Sequence, residues 1–299
     1  MRVSSRNKAL ETFDTLGPEI ISAIEKMLRK LKIAEKKLLG VCIGVPAMLD
    51  KDELRVSKSS VVPIDETNDF FEVIQNRFHN IQVKMGVESC FCAYSEKSEI
   101  RRDIHSLIYI NINKGIGGGI VIGNKIYTGA FGTAGEVGHV TVDANGPQCE
   151  CGNHGCLETL ASVPAIKKKV QEAIAAGEET SIKPRKDGSI PFTAIGRALE
   201  KKDPVAMRVL DEVCGYLAIG INGVINILNP EIIIIGGRIA ELGPLFLDLL
   251  WRKLKMVGDK FPLRRTVLAY SCTHDNAVTT GCARYLLDSI FNVNDFLVK

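Results

Sequence analysis

The run Cys149-Glu150-Cys151-Gly152-Asn153-His154-Gly155-Cys156, with His139 ahead of it, limits more than any other stretch how this chain can fold. Gly152 and Gly155 let the backbone turn back between the cysteines, so all three sulfurs can reach one point. Three thiolates and one imidazole make a closed tetrahedral set of the kind that holds structural Zn2+, with no open position for chemistry. The fourth ligand is His139 or His154. His139 is preferred because a turn between the cysteines aims His154 outward. Disulfide pairing is the competing use of these cysteines, and Cys-x-Cys is too short to close one easily. A metal here would pin residues 135–158, and with them Glu136, His139 and Glu158.

The other cysteines are scattered among apolar residues, as Cys42, Cys92, Cys214 and Cys282 are, and the total of nine is odd. That pattern fits buried thiols in a reducing compartment, so a cytoplasmic protein is expected. The opening Met-Arg-Val-Ser-Ser-Arg-Asn-Lys lacks the apolar core of a signal peptide. No apolar run approaches the roughly 20 residues of a membrane span. With 299 residues the chain makes one large domain or two modest ones. A net charge of +3 does not suggest a nucleic-acid surface, and Lys167-Lys168-Lys169 reads as a solvated helix face.

Patterning predicts alternating strands and helices. Residues 2–13 read as two strands around a turn at Asn7-Lys8, and a helix opens at Gly17-Pro18-Glu19 with Pro in its first turn. Strand 38–45, helix 69–78, strand 81–87 and helix 88–97 complete a first group. A second group starts with strand 107–112, the glycine-rich turn 114–119 and a hairpin around Gly123-Asn124. Helices follow at 163–176, 193–200, 203–227, 243–256 and 277–290, with strands at 232–235 and 266–270. The all-apolar strands suit a sheet covered on both faces. The alternation predicts two α/β lobes with a ligand cleft between them.

Four constellations could carry chemistry. The turn containing Gly115, Gly117 and Gly118 can form a backbone nest for a phosphate, or simply a tight hairpin. Gly236 and Gly237 follow a buried strand and allow a nucleotide close to the backbone, or serve the strand-to-helix turn. Glu136, His139 and Glu158 suit charge-assisted hydrogen bonds to sugar hydroxyls, although Glu136 could instead support the metal site. Glu88 ends a strand at the edge of the expected cleft. It can act as a general base or as the acidic first-turn residue of the next helix, and position alone favours the helix role.

With these residues placed, the chain resembles the ROK family of repressors, open reading frames and sugar kinases over nearly its whole length. The signature is Gly138-His139, Gly146-Pro147-Gln148-Cys149-Glu150-Cys151-Gly152 and Gly155-Cys156-Leu157-Glu158. Asn226 to Pro230 with Gly236-Gly237 resembles the family's adenosine-side motif. The resemblance implies a two-lobed α/β fold of the actin-like ATPase and hexokinase (ribonuclease H-like) type. It implies zinc on His139, Cys149, Cys151 and Cys156, and a sugar on Glu136, His139 and Glu158. Residues 1–104 with 281–299 would form the small lobe and 105–280 the large lobe.

The chain departs from the family's kinases at three points. Their first phosphate loop, Asp-x-Gly-Gly-Thr, has no counterpart. Their Asn-Asp, a sugar ligand and the catalytic base, stands here as Val87-Glu88, and their Gly-Thr-Gly-x-Gly reads Asn113-Lys114-Gly115-Ile116-Gly117. Phosphoryl transfer depends on positioning and charge stabilisation, so these changes count heavily against it. Glu88 followed by Ala93-Tyr94 and Glu96-Lys97 resembles the xylose-repressor branch. The expectation is the effector-binding part of a sugar-sensing regulator, homo-oligomeric as a dimer or tetramer. It would bind a monosaccharide that includes Glu88 among its contacts, and would bind DNA only through a further helix-turn-helix. The alternative is a sugar kinase using ATP and Mg2+ with Glu88 as base.

Overall fold

The computed structural model describes residues 12–50, 55–59, 62–64, 69–100, 103–258, 263–273 and 276–291. Its largest sheet has five strands: β5 (Ser106–Ile112), β6 (Ile116–Ile122), β7 (Lys125–Ile126), β8 (Ile232–Gly236) and β9 (Val267–Tyr270), ordered β7-β6-β5-β8-β9. The first three in sequence pair antiparallel, and β8 and β9 then join in parallel. This is the strand order of a ribonuclease H-like sheet. Side-chain alternation explains why both faces are apolar. Ile108, Ile110, Ile112, Ile233 and Ile235 face one core, and Leu107, Tyr109, Ile232 and Ile234 face the other.

The first core is covered by helices α4 (Leu157–Ala161), α5 (Val163–Ala175), α6 (Phe192–Glu200), α7 (Pro204–Leu228) and α8 (Pro244–Gly258). Helix α7 starts as the sequence indicates, with Asp203 accepting the Val205 and Ala206 N–H groups and Pro204 at the first position. The second core is covered by α3 (Glu88–Glu99) and α9 (Ala277–Phe291), which pack on each other. Tyr94 donates to Asp288 at 2.5 Å across that pair.

A smaller unit contains α1 (Phe13–Leu31), α2 (Phe70–Arg77) and the parallel pair β1 (Gly40–Val45) and β4 (Gln82–Val87). Phe13, Val41, Val45, Phe70 and Ile74 form its core, with Phe13 edge-on to Phe70 at 5.4 Å. A short hairpin, β2 (Met48–Asp50) and β3 (Arg55–Lys58), projects from the end of β1.

The predicted elements recur with four differences. The strand pair expected over 2–13 lies mostly outside the described residues, but Phe13 is helical rather than extended. Helix α1 starts a turn before Gly17 because Thr15 accepts the Thr12 N–H at 3.0 Å and Phe13 is buried on Phe70, so Pro18 lies inside the helix. The β2–β3 hairpin and the five-residue α4 were not read from the sequence, being too short for a periodic signal. Gly117, Gly118 and Gly119 do not form a turn. They belong to β6, and the turn itself is only 113–115.

The reason for that last difference positions the whole site. A Cβ on Gly119 would lie 2.0 Å from the Ser89 carbonyl oxygen, so the first turn of α3 rests directly on the strand. The Ser89 hydroxyl donates to the Gly118 carbonyl at 2.8 Å. On the other side, Gly135 and Gly138 pack against Gly118 and Ile116. One glycine-rich strand is thus clasped by the start of α3 and by the start of the cysteine loop.

Candidate sugar cleft and metal loop

The cysteine loop is closed by its own backbone. Cys149 N–H donates to Asn153 O at 2.7 Å, Gly152 N–H to Cys149 O at 2.9 Å, and Gly155 N–H to Pro147 O at 2.8 Å. Gly155 has φ +61°, and a Cβ there would collide with the Asp143 carbonyl. The loop places one donor atom from each of His139, Cys149, Cys151 and Cys156 within 4.8 Å of one another. Cys151 Sγ lies 3.6 Å from Cys156 Sγ, and Cys149 Sγ lies 3.7 Å from His139 Nδ1. A zinc tetrahedron with metal–sulfur bonds of about 2.3 Å has edges of about 3.8 Å, so the donors already stand at coordination spacing. Burial pushes the Cys156 thiol up to about 12, and its two neighbouring cysteines add to that. Three thiolates can share the loop only around a cation, which fits the donor set to zinc. His154 is exposed and outside the cluster.

The two imidazole nitrogens of His139 lie on different sides. Nδ1 faces the sulfurs, and Nε2 points the other way, 3.8 Å from Glu136 Oε2. That side opens into a cavity of about 150 Å3. Glu136, His139 and Glu158 line it from the loop, Glu88 from the start of α3, Asn111 from the end of β5, and Lys58 from β3. Lys114 and Gly115 form its edge at the 113–115 turn. The hairpin also reaches across, where Lys58 Nζ donates to the Glu150 carbonyl at 3.1 Å.

The carboxylates differ in their surroundings. Burial raises the pKa of Glu88, opposed by one hydrogen bond from Asn111 Nδ2 at 3.0 Å. Burial also raises that of Glu136, opposed by His139 and reinforced by Glu158. Glu158 accepts the Ile116 N–H at 2.8 Å, and a Cβ on Gly115 would lie 2.2 Å from its Oε2. The glycine at 115 therefore lets this carboxylate rest on the turn. Glu88 is the acidic first residue of α3, as the helix reading expected, and it also lines the cavity.

The glycines considered for nucleotide contact separate into two groups. Gly115 and Gly117 line the cavity. Gly118 is covered by Gly135. Gly236 lies under the Tyr109 hydroxyl, and Gly237 under the amide oxygens of Asn111 and Asn113. Asn111 and Lys58 were not singled out from the sequence. Asn111 had a visible signal, as a lone polar residue in the apolar strand Leu107–Ile112, whereas nothing local marks Lys58.

Among the described residues no helix is long and apolar enough to cross a membrane. A family model described as the ROK family matches residues 2–288. A xylose repressor of Caldicellulosiruptor bescii is 30% identical over 285 residues, which cover 93% of this chain and 69% of that protein. A solved ROK family transcriptional regulator, a homologue of the E. coli MLC protein, is 26% identical with a TM-score of 0.82, covering 95% of this chain and 72% of that one. A ROK family glucokinase from Streptomyces griseus, solved with glucose and AMPPNP, has a TM-score of 0.76 at 23% identity, covering 92% of this chain and 88% of that one. At that identity the likeness is one of fold.

Proposed function

The chain belongs to the ROK family, and from that premise we propose that it is the effector-binding part of a sugar-responsive transcriptional regulator. The observation that carries this reading is the cleft in which Glu88, Glu136, His139 and Glu158 converge. Carboxylates and an imidazole on rigid supports are what a polyhydroxylated ring needs for oriented, charge-assisted hydrogen bonds. The likeness to a xylose repressor favours a monosaccharide such as xylose as effector and a regulatory outcome.

Zn2+ held by His139 Nδ1 and the thiolates of Cys149, Cys151 and Cys156 would supply rigidity and no chemistry, since four protein ligands close its tetrahedron. His139 Nε2 then remains free for the ligand or for Glu136. In this reading residues 1–104 with 281–299 act as one lobe and 105–280 as the other, in a homo-oligomer. The signal is closure of the cleft, driven by the difference in sugar affinity between open and closed states. The Lys58 contact with Glu150 spans the cleft and is the sort of bond such closure makes or breaks.

A second reading, an ATP- and Mg2+-dependent sugar kinase with Glu88 as base, draws on the glucokinase fold. Against it stand the side chains packed over Gly236 and Gly237 and the carboxylate resting on Gly115. One experiment decides. The purified protein is incubated with a monosaccharide panel, with and without ATP and Mg2+, and followed by thermal shift and by phosphate transfer. Sugar-dependent stabilisation without turnover is expected. Turnover that Glu88→Gln abolishes would establish the kinase instead.

A further inference from the structure

Three hydrogen bonds connect the cleft to a turn on the opposite side of β5. The Arg238 N–H donates to Asn113 Oδ1 at 2.7 Å, Asn113 Nδ2 donates to Asn111 Oδ1 at 3.0 Å, and Asn111 Nδ2 donates to Glu88 Oε1 at 3.0 Å. We propose that Asn111 and Asn113 are positioning residues, a directed amide chain that aims the Glu88 carboxylate into the cleft and ties it to the backbone of Arg238. The proposal rests on the reading of Glu88 as a sugar contact.

The direction of the chain follows from chemistry. A backbone N–H can only donate, so Asn113 must turn its oxygen to Arg238 and its NH2 to Asn111. Asn111 must then turn its oxygen to Asn113 and its NH2 to Glu88. Both amide orientations are thereby set by the Arg238 end. The geometry is built for this. Asn111 is the next-to-last residue of β5 and Asn113 opens the turn that follows, which brings the two amides to 3.0 Å at the strand's end. Gly237, at φ +84°, clears the space, because a Cβ there would lie 2.6 Å from Asn111 Oδ1 and 2.9 Å from Asn113 Oδ1.

The consequence is an N–H fixed on Glu88 that has no way to become an acceptor. It favours the ionised carboxylate against the burial that opposes ionisation. One oxygen is held by the protein and the other is left for a hydroxyl of the ligand. Each bond in such a chain polarises the next, so a change at Arg238 reaches Glu88 without moving α3. Other titratable groups also face the carboxylate. Lys58 comes from β3, Lys114 from the 113–115 turn, and Glu136, His139, Glu150 and Glu158 from the cysteine loop side. Cys92 lies one turn along α3 and feels Glu88. None of them is altered in the variants that test the chain.

The test titrates glutamate carboxyl carbons by NMR in the full chain carrying isotope-labelled glutamate, without sugar. The Glu88 signal is the one lost in Glu88→Gln. Asn111→Ala should move its midpoint up, because burial stays and the donor leaves. Asn113→Ala should move it up by less. Arg238→Pro removes the terminal N–H at the first position of a short helical turn, where proline is accepted, together with the side chain that pairs with Glu241, and should also move it up. Arg238→Ala, which keeps the N–H, should not. Titration with D-xylose should show roughly fivefold weaker binding by Asn111→Ala. An unchanged Glu88 midpoint in both Asn111→Ala and Arg238→Pro would overturn the chain. Shifted midpoints in the variants, with a wild type that binds no monosaccharide, would uphold the chain and sink the sugar reading.

Discussion

Lys58 and Glu150 meet across the cleft, where the lysine Nζ donates to the glutamate's carbonyl oxygen at 3.1 Å. The lysine closes the β2–β3 hairpin and the carbonyl sits between two of the clustered cysteines, so one bond joins the two walls of the cavity. Its acceptor is a backbone group, which makes the contact independent of the Glu150 charge. Lys58→Met should leave thermal stability almost unchanged, as an exposed substitution does. Sugar affinity should fall roughly two- to fivefold, the worth of one partly solvated hydrogen bond in the closed state. Calorimetric titration beside a melting curve checks both. Equal affinities in the two proteins would remove Lys58 from the closing motion.

The metal loop yields a stoichiometric prediction. One zinc per chain should co-purify, and Cys151→Ser or His139→Asn should lose it while His154→Ala keeps it, because His154 lies outside the donor cluster. Without the ion, the Cys151 and Cys156 sulfurs, 3.6 Å apart, have no counter-charge, and the loop carrying Glu136 and Glu158 loses its anchor. Chelation should lower the melting temperature by on the order of 10 °C. It should also abolish sugar-dependent stabilisation. Metal analysis and melting with and without chelator read both effects.

If the cleft binds the proposed sugar, Glu88 should set the pH dependence of that binding. Burial holds its pKa above the ordinary carboxylate range, so acidification protonates it sooner than an exposed glutamate. A protonated Glu88 loses its charge-assisted bond to a sugar hydroxyl, and affinity should begin to fall at a pH above the usual value of about 4.3. The effect on folding has the opposite sign. A raised native pKa means the folded state holds the proton more tightly, so this residue's penalty is largest at neutral pH and fades as pH falls through the raised value. Glu88→Gln should flatten the acid limb of binding and relieve that penalty. Titrations from neutral pH down through the ordinary carboxylate range compare the two proteins.

Much of this was open to a sequence reading, and the remainder has identifiable causes. Cysteine spacing implied a metal loop because coordination imposes a short-range pattern on the chain. Continuous apolar strands implied a sheet covered on both faces, and the five-stranded sheet has a core on each face. The triple glycine was harder, because close approach and a turn leave the same letters. Gly119 is set by the Ser89 carbonyl, a partner thirty residues earlier. Lys58 with Glu150, and Asn111 with Glu88, are long-range pairs: Asn111 stands out locally as a polar residue in an apolar strand, but nothing local marks Lys58 or either pairing. Pro18 misled because proline is commonest in a first turn, whereas here a hydroxyl cap at Thr15 and the burial of Phe13 extend the helix ahead of it.

Glu96 holds the fold together near neutral pH and releases it in acid. It is buried on α3 and accepts hydrogen bonds from the Ser271 hydroxyl, from the Thr273 N–H at 3.1 Å and from the Thr273 hydroxyl at 2.6 Å. Burial raises its pKa, but these donors to the loop before α9 together outweigh that and hold it below the ordinary range. A depressed native pKa contributes stability that is complete above the unfolded value of about 4.3 and is lost as pH falls through the native one. Glu96→Gln should therefore cost about 2 kcal/mol near neutrality. The difference from wild type should shrink as pH falls below the ordinary carboxylate range. Denaturant unfolding across pH measures it.

Gly119 links the fold to the site most directly. An alanine Cβ there would lie 2.0 Å from the Ser89 carbonyl oxygen and 2.9 Å from the Ala93 side chain, so α3 would have to lift off β6. Backbone cannot yield as a flexible side chain does, and the cost should be about 3 kcal/mol or more. Because α3 carries Glu88 at its first position, lifting it also withdraws that carboxylate from Asn111 and from the cleft. Gly119→Ala should thus lose sugar binding even under conditions where it remains folded. Gly215→Ala on α7 is the matching control, since a Cβ there meets nothing within 4 Å and the substitution should be neutral or stabilising. Unfolding curves and D-xylose titration of both variants give the answer. A folded Gly119→Ala protein with wild-type affinity would show that the seat of α3 on β6 does not govern the site.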